Sequence, residues 1–107
     1  MLNTVKEITS ENFNETINSN SVVLVDVWAI WCGPCKMLSP VIDDLSVEME
    51  GKAVVGKLDA DSNTDLVKEL GVRNIPTILV YKNGEIVERT SGFKNKEQLL
   101  NLVNPHI

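Results

Sequence analysis

Hydrophobic residues change their spacing from segment to segment along the chain, and each change predicts an element. Residues Thr4 to Ile8 predict a short first strand. Thr9 or Ser10 then offers a helix N-cap, and Phe13 and Ile17 lie one helical turn apart beyond it. From Val22 to Trp28 nearly every position is apolar and many are β-branched, the pattern of a central strand covered on both faces. Met37, Leu38, Val41, Ile42, Leu45 and Met49 recur in steps of three and four, so a helix with one apolar face follows. Pro34 falls near its first turn, where a missing N–H does no harm. Pro40 lies inside it and should kink it, and Gly51 closes it.

Ala53 to Leu58 predicts another strand. Ser62 then caps a short helix carrying Leu66, Val67 and Leu70, ended by Gly71. Thr77 to Lys82 and Glu85 to Thr90 flank Asn83-Gly84, a dipeptide that favours a type I′ turn and hence an antiparallel hairpin. Asn95 and Gln98 have the spacing of a capping box. Leu99, Leu100, Leu102 and Val103 supply the buried face of a last helix. The order is β-α-β-α-β-α-β-β-α. Strand–helix–strand units imply parallel pairing and the hairpin adds an antiparallel edge, so the expected α/β architecture is a mixed sheet between helix layers.

Length and charge narrow the picture. With 107 residues the chain is one domain's worth, large enough to bury a core without staples. Hydrophobic residues at 43% and charged residues at 23% suit a globular rather than a disordered protein. A net charge of −5 with scattered Lys and Arg argues against nucleic acid as a partner. The apolar run Val22 to Trp31 is interrupted by Asp26 and too short to span a bilayer, so no membrane is expected. Met1 to Lys6 holds no basic segment followed by an apolar one; no secretory signal is expected, and the default compartment is the cytoplasm.

The candidate chemistry lies in Trp31-Cys32-Gly33-Pro34-Cys35, which holds both cysteines of the chain. Cys32 falls at the N-terminal edge of the predicted helix and Cys35 one turn inside it, on the same face, so a short disulfide ring can close. The helix N-terminus favours a thiolate at Cys32. That effect is worth about 0.3–1 kcal/mol, less than one pKa unit at about 1.4 kcal/mol. A stronger preference needs a hydrogen bond to the sulfur from the Cys35 thiol or a backbone N–H. Three other readings compete with a redox pair. A structural zinc wants four ligands, and only His106 remains to join the thiols, so no metal is expected. An inert disulfide closing so short a loop removes little unfolded-state entropy. Two idle buried thiols would not explain the Gly-Pro insert and the preceding tryptophan.

Asp26 is the second candidate. It sits between Val25 and Val27 in a strand where neither face looks wet, and an unpaired buried carboxylate has a raised pKa. It is either the partner of a buried polar group or a proton acceptor for Cys35. Trp28 reads as core and Trp31 as the border of a docking surface. Ile30, Gly33, Pro34, Ile75, Gly92 and Phe93 could form an uncharged, shallow patch there. Lys36 reads as a solvated surface lysine, His106 as a solvated tail histidine, and Met37 and Met49 as core.

WCGPCK resembles the active-site motif of thioredoxins, and the likeness extends beyond it. Val25-Asp26-Val27-Trp28-Ala29 resembles the strand leading into that site, Asn74-Ile75-Pro76-Thr77 the loop bearing the family's cis-proline, and Lys82-Asn83-Gly84 and Gly92 also match. The resemblance implies a thioredoxin fold, with about five strands flanked by about four helices in a three-layer sandwich, as a single domain over residues 1–107. It implies a protein-disulfide reductase with the catalytic residues Cys32, Cys35, Asp26 and Lys57, in which Cys32 is the nucleophile, Cys35 the resolving thiol and Asp26 the proton acceptor, with Lys57 near it. Trp31, Gly33, Pro34, Ile75, Pro76 and Gly92 would bind substrate. It further implies a monomer without bound cofactor, acting on disulfide-containing target proteins and re-reduced by a thioredoxin reductase that draws on NADPH. Histidine before the second cysteine marks oxidant and isomerase relatives; Pro34 stands there instead and points to reduction. Ile30, Val27, Tyr81 and Ala60 depart from the usual pattern, and Ile30 and Ala60 bear on partner preference. A scaffold role with incidental redox activity is the competing class.

Overall fold

In a computed structural model, which describes residues 4–107, the chain forms five strands and four helices. They are β1 (Lys6–Ile8), α1 (Phe13–Ser19), β2 (Val22–Trp28), α2 (Gly33–Glu48), β3 (Val54–Asp59), α3 (Thr64–Glu69), β4 (Thr77–Lys82), β5 (Glu85–Ser91) and α4 (Lys96–Val103), with a final 3-10 turn at Asn104–His106. The sheet order is β1-β3-β2-β4-β5. β2 runs parallel to β3, which runs parallel to β1, while β4 is antiparallel to both β2 and β5. This is the predicted mixed sheet, with β2 at its centre. The leader reading rests partly on residues 1–3, which lie outside the described residues.

The alternation along β2 sorts its side chains into two layers. Val22 and Leu24 join Leu38, Ile42, Leu45 and Met49 of α2 and Leu99 and Val103 of α4 in one cluster. Val23, Val25 and Val27 join Phe13 and Ile17 of α1 in a second cluster, which the half-buried Leu66 and Val67 of α3 and Leu70 at its C-cap flank. Successive strand residues point to opposite faces, so a strand apolar at nearly every position can feed both helix layers. Tyr81 belongs to the second cluster, with its ring edge-on to Phe13 at 5.6 Å.

Asn83 and Gly84 both have positive φ, 52° and 85°, as the type I′ hairpin requires. The capping box at Asn95 and Gln98 is fully formed, with bonds of 2.8 and 2.9 Å. Two other predicted caps are corrected. Neither Thr9 nor Ser10 caps α1; the N-cap is Asn12, whose Oδ1 accepts from Thr9 N–H and locks the turn before the helix. Ser62 does not cap α3. Asn63 holds that position, and its side chain instead accepts from Ser10 N–H and Oγ–H and donates to the Asp59 carbonyl. These side chains tie loops together, and a bond to a residue 53 positions away outweighs a local cap.

Two further expectations are corrected. Met37 is not core: it is 64% exposed, because α2 turns that side away from the sheet. His106 is not a free tail residue; its Nε2 lies 2.8 Å from Glu88 Oε2, and its carbonyl accepts from Lys82 Nζ at 2.6 Å. Trp28 is half-buried rather than fully enclosed.

Candidate active site

The end of β2 and the start of α2 create the site. Ala29, Ile30 and Trp31 lead off the strand, and Cys32 sits at the N-cap of α2 with extended backbone (φ −95°, ψ 112°). Pro34 stands in the first turn, where it costs no helix hydrogen bond, and α2 continues through Pro40 as one element. Cys35 lies one turn in. The two cysteines form a disulfide with a Cα–Cα distance of 5.3 Å. The expected hydrogen bond to the outer sulfur is present: Cys35 N–H donates to Cys32 Sγ at 3.2 Å. Ala29, Trp28 and Ile75 pack around the pair, leaving Cys32 4% and Cys35 3% exposed.

The Ile75–Pro76 peptide bond is cis. It brings the loop before β4 against the disulfide, with the Ile75 carbonyl oxygen 3.7 Å from Cys32 Sγ. Gly92 closes the other side of this loop. Its N–H donates to the Pro76 carbonyl at 2.9 Å, and its φ of +87° is a conformation that glycine adopts without strain. Around this centre Ile30 (71%), Trp31 (67%) and Phe93 (41%) are exposed, and Gly33 and Pro34 also face solvent. Trp31 is held in place, because its Nε1 donates to Asp61 Oδ2 at 3.0 Å.

Below the surface, strand alternation decides the electrostatics. Asp26 continues the Val22–Leu24 row and so points to the α2 side of the sheet. Lys57 is its registered neighbour on β3 and, being two positions from Val55, points to the same side. Asp26 is 0% exposed, and neither carboxylate oxygen has a hydrogen-bond partner among the described residues. Burial pushes its pKa from 3.8 up to about 7, against a smaller downward pull from Lys57. The reading of Asp26 as partner to a buried polar group therefore fails. Lys57 does not pair with it; Nζ donates to Ser39 Oγ at 2.8 Å and stands 5.0 Å over the Trp28 ring.

Sequence reasoning does not single out Ser39 or Asp61. Ser39 carries a local signal, its position one turn after Cys35 on the same helix face. Asp61 carries none, since its contact with Trp31 spans 30 residues. Among the described residues no three His, Cys, Asp or Glu side chains gather as metal ligands. No described helix is long and apolar enough to cross a membrane.

A disulfide at a helix N-terminus beneath a cis-proline loop, on a five-stranded mixed sheet, defines a thioredoxin-fold protein of the thiol–disulfide exchange class. The thioredoxin family model matches residues 4–105. A thioredoxin of Bacillus subtilis is 47% identical over 103 residues, covering 96% of this chain and 98% of that relative. One of Rickettsia typhi is 45% identical over the full length of both chains. Among solved structures, a Malassezia sympodialis thioredoxin superposes with a TM-score of 0.88 at 31% identity, covering 98% of this chain and 92% of the other. A mutant thioredoxin of Halobacterium salinarum gives a TM-score of 0.87 at 32% identity, covering 99% and 95%. The chain belongs to the thioredoxin family. It is a thioredoxin-type thiol–disulfide oxidoreductase with protein-disulfide reductase activity, and Cys32–Cys35 is its redox-active pair. Family membership implies a reductase and disulfide-bearing target proteins as partners.

Proposed function

We propose that Cys32 is the attacking thiol, Cys35 the resolving thiol and Asp26 the base that takes the Cys35 proton. The Cys32 thiolate attacks one sulfur of a target disulfide, forming a mixed disulfide and releasing the other target sulfur as a thiolate. Cys35 then gives its proton to Asp26 and attacks Cys32 Sγ. The Cys32–target bond breaks, and the second target thiolate leaves. Two electrons have passed to the target, and Cys32–Cys35 remains as the disulfide seen here. The observation that carries this division of labour is the placement of Cys32 at the N-cap. There its sulfur receives the Cys35 N–H and lies at the positive end of α2. An unpaired carboxyl with a pKa near 7 on the α2 side of the sheet suits a group that accepts and returns a proton at neutral pH.

The surrounding residues support a docking role. An extended target segment would lie against Ile75, Pro76 and Gly92, flanked by Trp31, Gly33 and Pro34, on a mostly apolar surface with the Asp61 carboxylate beside Trp31 and the Lys94 ammonium beside Gly92. Such a surface tolerates varied partners. We further propose that residues 1–107 act as one domain and as a monomer, re-reduced by a thioredoxin reductase fed by NADPH. A reducing compartment such as the cytoplasm suits a chain whose two cysteines must return to the dithiol form.

The test is insulin-disulfide reduction, first with dithiothreitol and then with a reductase and NADPH, on the wild type, Cys32→Ser and Cys35→Ser. Cys32→Ser should be inactive and form no adduct, while Cys35→Ser should accumulate a mixed disulfide visible by mass spectrometry. Adduct formation through Cys35 in the Cys32→Ser protein would reverse the assignment.

A further inference from the structure

The lysine beside the buried carboxylate makes no hydrogen bond or ion pair with it among the described residues. Lys57 is the registered neighbour of Asp26 and shares its face of the sheet, yet its Nζ donates to Ser39 Oγ at 2.8 Å and stands over Trp28. Ser39, Cys35, Lys36 and Lys57 line one small cleft behind the disulfide, with Trp28, Ala29 and Ile30 completing its wall. Ser39 is one helical turn beyond Cys35, so α2 offers a hydroxyl where the ammonium can find an acceptor outside the Asp26 site.

We propose that Ser39 is a positioning residue that holds the Lys57 ammonium off the Asp26 carboxylate and so keeps that carboxyl basic enough to take a proton. The proposal rests on the reading of Asp26 as proton acceptor and names the residue that tunes it. The charged groups around the pair are few on the Asp26 side and more numerous on the outer side, where Lys57 shares a cleft with Lys6, Glu7, Asp43 and Asp59 and is ion-paired with none of them among the described residues. β4 presents Ile78 opposite Asp26 and carries no charge there. α2 presents the Cys35 sulfur, Ser39 and Lys36 to the cleft that Lys57 of β3 also lines. Lys57 is the charged group whose field reaches Asp26. A cation that closes to within about 4–6 Å of a carboxylate lowers its pKa by about 1–3 units. Without the Ser39 hydroxyl the ammonium loses its hydrogen-bond acceptor on α2, and the partnerless Asp26 carboxylate, on the adjacent strand of the same sheet face, competes for it with Asp43 and Asp59 across the outer cleft.

The experiment follows the Asp26 carboxyl by carbon NMR against pH in the oxidised protein, where neither cysteine titrates. Ser39→Ala should move its midpoint down by about one unit, whereas Ser39→Thr, which keeps the hydroxyl, should leave it in place. In a Lys57→Met background, Ser39→Ala should produce no shift. A midpoint that stays or rises in Ser39→Ala overturns the proposal, and so does an equal fall in the Lys57→Met background. These readings need no turnover, so they are separate from the proton-acceptor role. Failure of that role would show as an Asp26→Asn protein that reduces insulin at the wild-type rate with an unchanged pH profile.

Discussion

Replacing Asp26 by asparagine should stabilise the oxidised protein by an amount that depends on pH in a specific way. Asp26 is fully buried without a partner, and its pKa rises from 3.8 to about 7. Between those two values the native state binds the proton that the unfolded chain has already released. The stability contributed by Asp26 is therefore fully present below about pH 4, falls as pH rises, and levels off above about pH 7. Roughly three units at about 1.4 kcal/mol each give a loss of about 4 kcal/mol across that window. Domains of this kind have total stabilities of about 5–15 kcal/mol, so the effect is large. Asparagine does not titrate. The difference between Asp26→Asn and wild type should thus be flat below pH 4, grow through the window, and reach a plateau about 4 kcal/mol higher above pH 7. The amide's own unmet hydrogen bonds shift both plateaus equally and cancel from the comparison. Urea or guanidinium unfolding of the disulfide form at a series of pH values measures it, because other titrating groups are common to both proteins. A stability difference that does not change between pH 4 and pH 8 would refute the assignment of the raised pKa to burial.

Other consequences are as concrete. In the reduced protein, Asp26→Asn should slow resolution of the mixed disulfide at neutral pH without slowing its formation, which rapid-quench mass spectrometry with a disulfide peptide separates. Gly56→Ala should cost about 1–3 kcal/mol in urea unfolding, because a methyl there meets Ile8 Cγ1 at 2.7 Å and the fixed Lys6 carbonyl at 3.0 Å, crowding the β1–β3 pairing. Asn95→Ala should lose the cap of α4 and about 1 kcal/mol by the same measurement. Asp61→Ala should release Trp31, lowering its fluorescence anisotropy while leaving stability nearly unchanged, since the lost hydrogen bond is exposed.

Much of the fold was legible because its signals are local. The continuous apolar run of β2, the three- and four-residue helical steps, the Asn83-Gly84 turn and the Asn95/Gln98 box each lie within a few residues, and each appears as expected. Several errors come from contacts distant in sequence. Ser62 loses the α3 cap to Asn63, and His106, expected to be solvated, has a partner on β5. In the structure, Asn63 reaches Ser10 across 53 residues and His106 reaches Glu88 across 18. Met37 fits the helical period, but it lies at the edge of the stripe, where the sheet no longer covers it.

The same boundary runs through the site. The sequence by itself determined the redox pair, since a three-residue separation at a helix start places two sulfurs on one face whatever surrounds them. It also placed Asp26 in an apolar strand. The tertiary structure alone decided how that carboxyl is surrounded. The order β1-β3-β2-β4-β5 puts Lys57 beside Asp26, and the packing of α2 on the sheet gives Lys57 a different acceptor in Ser39. A pKa depends on dielectric and on charges within a few ångströms in space, and those neighbours come from strands and helices whose residues are far apart along the chain.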